Sequence, residues 1–439
     1  MMTDRRAFIL TGLGLGLGGA TATARAAAKA GGPATLVANS GADHTSALQA
    51  AIDGAAARGV PLELPAGVFH SGALTLREGS VVTGAGPLTR LVFTGAGTFV
   101  SAKGVRGLRL AGLAIDGGMR PLDIALVALE GCADVDLRDL TVTHSSRDAM
   151  ALTKCTGTIS GCAISQVANA GLFALDSKLT IADNTVWDCG NNGILVWRTV
   201  VGEDGSQVLH NRVERIRADA GGSGANGNGI NVFRAGSVQV SGNRITDCAY
   251  SAIRGNAASD IAMTGNHCQR IGEVALYAEF GFTGALIANN VVDGAACGVS
   301  VTNFNDGGRL AVVQGNLIRN LVRREHEPHD KRGEGIAVEA DTLVSGNTIE
   351  NAPTCGIMLG WGRHMRDVSA TANLIRGCRV GVLISLDAAA GAALVAQNLI
   401  SGAIDGAIRA HENGHAFGPD LAKAAPASGR VTISGNAVS

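Results

Sequence analysis

The stretch Val238-Gln239-Val240-Ser241-Gly242-Asn243-Arg244-Ile245 returns in outline as Thr342-Leu343-Val344-Ser345-Gly346-Asn347-Thr348-Ile349. Each reads as an alternating strand, a Gly-Asn turn and the start of a second alternating strand. The Asn recurs at 184, 211, 243, 266, 290, 316, 347, 373, 398 and 436, at spacings of 27, 32, 23, 24, 26, 31, 26, 25 and 38. The basic unit is therefore 23 to 26 residues with occasional insertions, and upstream the frame continues without the Asn in 108–115, 135–142 and 158–164.

Three short strands and their turns fill such a unit and leave no length for a helix, which excludes helical repeats such as ankyrin. The Leu-x-x-Leu-x-Leu spacing of leucine-rich repeats is missing. What remains is an all-β parallel β-helix, one coil per repeat, with coils stacked about 4.8 Å apart. On that fold the Asn column becomes an internal ladder, each carboxamide bonding turn backbone and the Asn of the next coil.

Composition narrows the rest. With 46% hydrophobic and 17% charged residues the chain is too apolar to be disordered, and its 62 Gly in 439 residues supply turns. Thirty-six Lys+Arg against 37 Asp+Glu leave no basic surplus for a phosphate backbone, so no nucleic-acid partner is expected. Nine Cys show no CxxC and no Cys-His spacing suited to a metal. Cys189, Cys248 and Cys378 each fall five residues after a ladder Asn and read as small buried hydrophobes. No metal and no other cofactor is expected.

Residues 1–26 read as an address. Arg5-Arg6 with Phe8, a Gly-diluted apolar run from Thr11 to Ala20, and Ala24-Arg25-Ala26 resemble a twin-arginine export signal with its cleavage site. The mature form then starts near Ala27, is handed over by the twin-arginine export machinery, and is periplasmic or secreted. No later stretch reaches about 18 apolar residues, so it is not membrane-spanning. A monomer is expected.

Residues 27–100 read as an N-terminal cap with the first coils, and 101–439 as the repeats. In the cap, Gly41-Ala42-Asp43-His44-Thr45 precedes a Leu48/Ile52 pair, Gly59 and Pro61, which predicts a helix over about 43–58 with Asp43 or Thr45 as its N-cap. Leu62-Glu63-Leu64-Pro65-Ala66-Gly67-Val68-Phe69 then leads into strands. The segment from Gly41 to Gly86 resembles the helix-capped start of pectate-lyase-like β-helix proteins, phage tailspikes included. With the Asn-marked coils and the Arg5-Arg6 leader, nearly all of the mature chain resembles the twin-arginine-translocated repeat family of the pectin-lyase-like superfamily. The resemblance implies a single-stranded right-handed parallel β-helix with a short N-terminal capping helix. It implies no single chemistry, because that superfamily holds lyases, hydrolases, epimerases, esterases and adhesins. The Asn-Thr-Asp, Asp-Asp and Gly-His-Gly sets of polygalacturonases are absent, as is the Trp-Ile-Asp-His run of pectate lyases. Pro328-His329-Asp330 looks like part of the Asp-Pro-His-Asp element of mannuronan epimerases, with Glu327 in place of the first Asp.

Loop lengths point to a site. From ladder Asn to the next Gly/Ala-Ile strand takes eight or nine residues in most coils, but eighteen from Asn211 to Gly229 and nineteen from Asn316 to Gly335. Two extra loops, 217–228 and 321–332, therefore rise from one edge of the stack, four coil steps or roughly 19 Å apart. Three short coils between them predict a groove with two walls and a floor. The floor carries the outward residues Asn231 and Phe233, Arg254 and Asn256, Tyr277 and Glu279, then Ser300 and Thr302, with Trp197 and Arg198 one coil beyond.

An Arg, acidic and phenolic groups and aromatic faces on adjacent coils fit an acidic polysaccharide, since Arg pairs with a uronate and an aromatic ring supports a sugar. The alternative is a solvated face whose charges block edge pairing. If bonds are broken, a lyase-like β-elimination is favoured: Arg254 neutralises the uronate, Tyr277 exchanges the C5 proton and Glu279 orients Arg254 or acts as acid. Trp197, Arg198, Asn231, Phe233 and Asn256 would hold the substrate. A non-catalytic glycan- or partner-binding envelope protein is the second function class, and a metal-associated periplasmic protein the third.

The leader generates one prediction. Changing Arg5 and Arg6 to Lys should strand full-length precursor in the cytoplasm on cell fractionation, and unaffected export would refute the twin-arginine reading.

Overall fold

The computed structural model describes residues 37–222, 224–324, 332–424 and 429–439. The expected export signal, the Pro328-His329-Asp330 element and positions 325–331 of the second long loop lie outside the described residues.

Every ladder Asn follows a residue held in the left-handed region. Gly242, Gly265, Gly315, Gly346 and Gly435 have φ between 61° and 67°, and Asp183, His210, Asn289, Ala372 and Gln397 take the same conformation with φ of 54° to 58°. This is why the motif prefers Gly-Asn, since a side chain in that region costs roughly 1–2 kcal/mol. The turn reverses the chain sharply and drops the following carboxamide into the interior. Asn266 is 1% exposed. Its Nδ2 donates to Asn290 Oδ1 at 3.0 Å and to Val240 O at 2.9 Å, and its backbone N–H donates to the same Asn290 oxygen at 2.8 Å. Its own Oδ1 accepts both the N–H and the Nδ2 of Asn243. The pattern repeats from Asn184 to Asn436, so all four hydrogen-bonding positions of each inner amide are used.

Around this corner the strands stack in parallel. One sheet of fifteen strands runs from Leu62–Glu63 to Val431–Ser434, and the remaining strands form a second, bent sheet. Inward residues lie in register, as in Ile181, Val208, Val240, Met263 and Ile287, all fully buried. A column of this kind removes each aliphatic side chain from water at about 25 cal/mol per Å² of apolar surface. The cysteines belong to it: Cys189, Ile216, Cys248 and Ile271 share one register. All nine cysteines are buried and none of them forms a disulfide. Pairing is antiparallel only at the C-terminal end among the described strands, where His415–Asp420 folds back on Ile408–Glu412.

At the other end, helix α1 (Thr45–Arg58) lays Leu48, Ile52 and Ala55 over the open first coils, against Leu64, Leu74 and Val82. Its C-cap is Gly59 in the left-handed region, as the sequence suggests. Its N-cap differs from expectation. His44 occupies that position without a side-chain cap, while Asp43 Oδ1, one residue outside, accepts the Thr45 N–H at 2.9 Å. Among the described residues no helix is long and apolar enough to cross a membrane.

Asn266→Ala should leave the Asn243 amide and turn N–H groups unpaired in the core, at about 1–3 kcal/mol. An unchanged denaturation midpoint would contradict the ladder's role.

Candidate functional site

The outward residues of the Gly/Ala-Ile strands form two columns. Asn231, Arg254, Tyr277 and Ser300 are successive register partners, as are Phe233, Asn256 and Glu279. The expected trio thus stands on two adjacent strands. Arg254 Nε donates to Glu279 Oε1 at 2.6 Å, its guanidinium carbon lies 5.0 Å from the Tyr277 ring centre, and Asn256 Nδ2 donates to the same Glu279 oxygen at 2.7 Å.

The open groove over these residues is not found. Arg254 is 7% exposed, Tyr277 8% and Glu279 2%. The reason is that the first long loop does not stand up as a wall but lies down over the strand face. The backbone at Gly224 crosses the Arg254 guanidinium so closely that a Cβ there would sit 2.4 Å from it. From the second loop, Arg332 reaches within 5.4 Å of the Tyr277 ring centre. Arg324 approaches Glu273 at 3.7 Å and lies 5.4 Å from the Tyr250 ring centre. Glu273 itself lies 3.4 Å from Arg254 Nη1 and accepts from Ser251 Oγ at 3.2 Å. The result is a roofed ionic cluster. Burial pulls the Arg254 guanidinium toward losing its proton, but the Glu279 and Glu273 carboxylates more than offset this and hold it charged. Burial, with Glu279 adding to it, pushes the Tyr277 phenol up to about 12.

A cleft does exist between the loops, but at their bases. It has a volume of about 590 Å³ and is lined by Arg217, Ala249, Arg270, Gly272, Gly294 and Val322 at the turns that precede the strands. Arg217 is paired with Asp219 and Arg270 with Asp247, so both guanidinium groups already have carboxylate partners.

Beyond the roof the outward face is open and aromatic. Phe173, Trp197 and Phe233 stand on three successive coils with ring centres 5.3 Å apart at each step, all half-exposed. The Arg234 guanidinium lies 4.6 Å from the Phe233 ring centre. Arg198, half-buried, has its Nη1 3.9 Å from the buried carboxylate of Asp204. Of the five residues expected to hold substrate, Trp197, Arg198, Phe233 and Asn256 are partly accessible, whereas Asn231 is buried at 4% with its Oδ1 unpartnered among the described residues. Phe173 and Arg234 were not among the expected site residues. Their signal in the sequence is alternation alone for Phe173, and adjacency to Phe233 for Arg234.

The first loop is pinned by a polar seam. Asn191 Oδ1 accepts the Ala220 N–H at 2.8 Å, Asn192 Nδ2 donates to Ala225 O at 3.1 Å, and Asn228 Nδ2 donates to Gly224 O at 2.8 Å. Asn191 in turn donates to Asn169, which donates to the buried carboxylate of Asp148 at 2.6 Å. Burial pushes Asp148 up to about 6 from 3.8, against hydrogen bonds from Ala170 and Asn169. The native state therefore keeps a proton that the unfolded chain has already lost. This stabilisation is complete below about pH 4 and is lost as the pH rises through about 6. Asp148→Asn, which cannot ionise, should remove that loss and raise Tm most above pH 6, and an unaltered Tm profile would show that Asp148 is not buried.

Two family models match the chain: "Right handed beta helix region" over residues 221–375 and "Periplasmic copper-binding protein (NosD)" over 92–268. No curated protein sequence matches. Among solved structures, the pre-mature gene product 12 of bacteriophage phi29 is similar at 17% identity and a TM-score of 0.51, over 87% of this chain and 56% of that one. The A-module of the mannuronan C-5 epimerase AlgE6 of Azotobacter vinelandii is similar at 14% identity and a TM-score of 0.43, over 91% and 96%. The Family 28 exopolygalacturonase of Yersinia enterocolitica is similar at 13% identity and a TM-score of 0.39, over 92% and 76%.

Copper, which the second description implies, does not fit the donors present. Among the described residues no three His, Cys, Asp or Glu side chains gather where they could hold a metal ion. Within 92–268, burial pushes the Cys155 and Cys162 thiols up to about 11 and those of Cys189 and Cys268 up to about 12, so they stay protonated in the core. The parallel solenoid, its helix-capped start and the match of residues 221–375 to the right-handed β-helix model together show that this chain has the fold of a right-handed parallel β-helix.

Proposed function

We propose that this is an exported, periplasmic glycan-binding protein of the twin-arginine-translocated repeat family, and that its ligand is an acidic polysaccharide. The observation that carries this is the aromatic run, in which Trp197 and Phe233 share one register and Phe173, the partner of Leu195, stands two positions earlier along its strand. The chain has only 15 aromatic residues of the Phe, Trp and Tyr type in 439, yet three stand in a row, half-exposed, on successive coils. Half-exposed rings one coil step apart, packed edge to face, offer apolar surface against which sugar rings can lie. Arg198 and Arg234 border the row and supply the positive charge a uronate requires. The match of residues 92–268 to a family described as periplasmic supports the compartment.

Catalysis is the second reading, favoured by the convergence of Arg254, Tyr277 and Glu279. In a β-elimination Arg254 neutralises the uronate carboxylate, Tyr277 carries the C5 proton and the proton for the leaving oxygen, and Glu279 orients Arg254. In the closed arrangement Glu279 and Glu273 already engage the guanidinium and Gly224 covers it, so turnover requires the 217–228 loop to lift. Binding along the aromatic run requires no such movement.

Calorimetric titration with oligouronates separates the two. Trp197→Ala and Phe233→Ala should each weaken binding about tenfold or more, and Tyr277→Phe should leave it unchanged. Affinity that survives both aromatic substitutions would overturn the site. Growth of the ultraviolet absorbance of unsaturated uronates, cut about a hundredfold or more by Tyr277→Phe, would establish the lyase reading instead.

A further inference from the structure

The outward face of the strands that follow the ladder changes character along the stack. At the position after the ladder Asn, the first half carries Thr185, Arg212, Arg244 and His267, and the second half Val291, Leu317, Thr348, Leu374 and Leu399, all in one register. Leu317, Leu374 and Leu399 are 37%, 39% and 45% exposed. Exposed aliphatic side chains repeated over neighbouring coils are not needed to hold this solenoid together.

Two residues further on, the same strands carry a second outward column: Asp293, Arg319, Glu350 and Arg376, again successive register partners. Its charges alternate, negative, positive, negative, positive. Within the chain, Arg319 lies 2.9 Å from Asp293 and Arg376 3.8 Å from Glu350. A four-charge column of this order has one symmetry property. Turned end for end and laid against itself it sets Asp293 opposite Arg376 and Arg319 opposite Glu350, whereas laid against itself in the same direction it sets like on like. The aliphatic column beside it has the coil period, about 4.8 Å, and over several coils only a surface of the same period meets it residue for residue.

We infer that this face docks a second copy of the chain, antiparallel, about a two-fold axis between the coils of Arg319 and Glu350. Self-complementarity under a two-fold is what an isologous interface demands. The face spans two columns over the four coils from Val291 to Leu374, less than the roughly 800 Å² per partner of a standard interface, so the dimer is weak and forms at high concentration. It departs from the monomer expected from the sequence and is independent of the glycan reading, since the aromatic run lies on other strands.

Sedimentation equilibrium of the exported, processed protein up to about 1 mM should show a monomer–dimer equilibrium. Arg319→Glu should weaken it about tenfold or more, and adding Glu350→Arg should restore it, because the exchanged pair meets again across the axis. Leu374→Lys should also weaken it. All three positions lie on the surface, and circular dichroism of each variant should show the strand signal of the unaltered protein. A monomer at every concentration, or a dimer indifferent to Arg319→Glu, would overturn the inference, and so would a double variant no better than the single one.

Discussion

A carboxamide buried in an apolar stack must find two acceptors for its N–H groups and donors for its oxygen, and here only the identical side chain one coil away supplies enough of them. This constraint governs the molecule. Asn266 is satisfied only if Asn243 and Asn290 stand directly below and above it, so each coil fixes the height and rotation of the next. A one-residue slip would leave these amides unpaired and turn every inward Ile and Val outward. The outward columns inherit that precision. Arg254 meets Glu279, and Trp197 meets Phe233, because an interior ladder on the opposite side of each coil holds them in step.

Where the ladder holds, the sequence is easy to read. The Asn spacing reports the coil, alternation reports which side chains leave it, and the two long intervals after Asn211 and Asn316 report where loops depart. The placement of Arg254, Tyr277 and Glu279 on adjacent strands follows from this arithmetic. What period cannot report is the path of a segment that lacks one. Residues 217–228 contain Gly221, Gly222, Gly224 and Gly227, all with positive φ, and that backbone freedom lets the loop lie flat on Arg254. Its anchors, Asn191 and Asn192, look in the sequence like ordinary turn residues, and the carboxylates that occupy Arg254 come partly from Glu273, outside the repeating strand pattern. Burial of the trio was therefore not legible, although its adjacency was.

The roofed cluster also separates two kinds of polar interior. The Asn ladder is neutral and every group is matched, so its burial costs little. Arg254, Glu273, Glu279 and Arg324 are ions withdrawn from water, where desolvation rivals attraction and removal of one partner strands the others. Such a cluster ties the second loop, through Arg324, to the strand face with geometry that aliphatic packing would not specify, while neutral amides hold the first loop. The aromatic rings beyond it have no roof: they pack on one another and on Arg234 yet stay half-exposed, so a ligand reaches them without displacing an ion pair.

Because strand pairing passes only from one coil to its neighbour, no coil depends on how many others the molecule contains. A duplicated unit of 23 to 26 residues carrying its own Asn would find the hydrogen bonds it needs already waiting on both sides. Gene duplication could lengthen this stack in whole steps, and unequal crossing-over could shorten it, without repacking what remains. Helix α1 and the folded-back hairpin stand outside the repeating pattern and would not be copied in such a step.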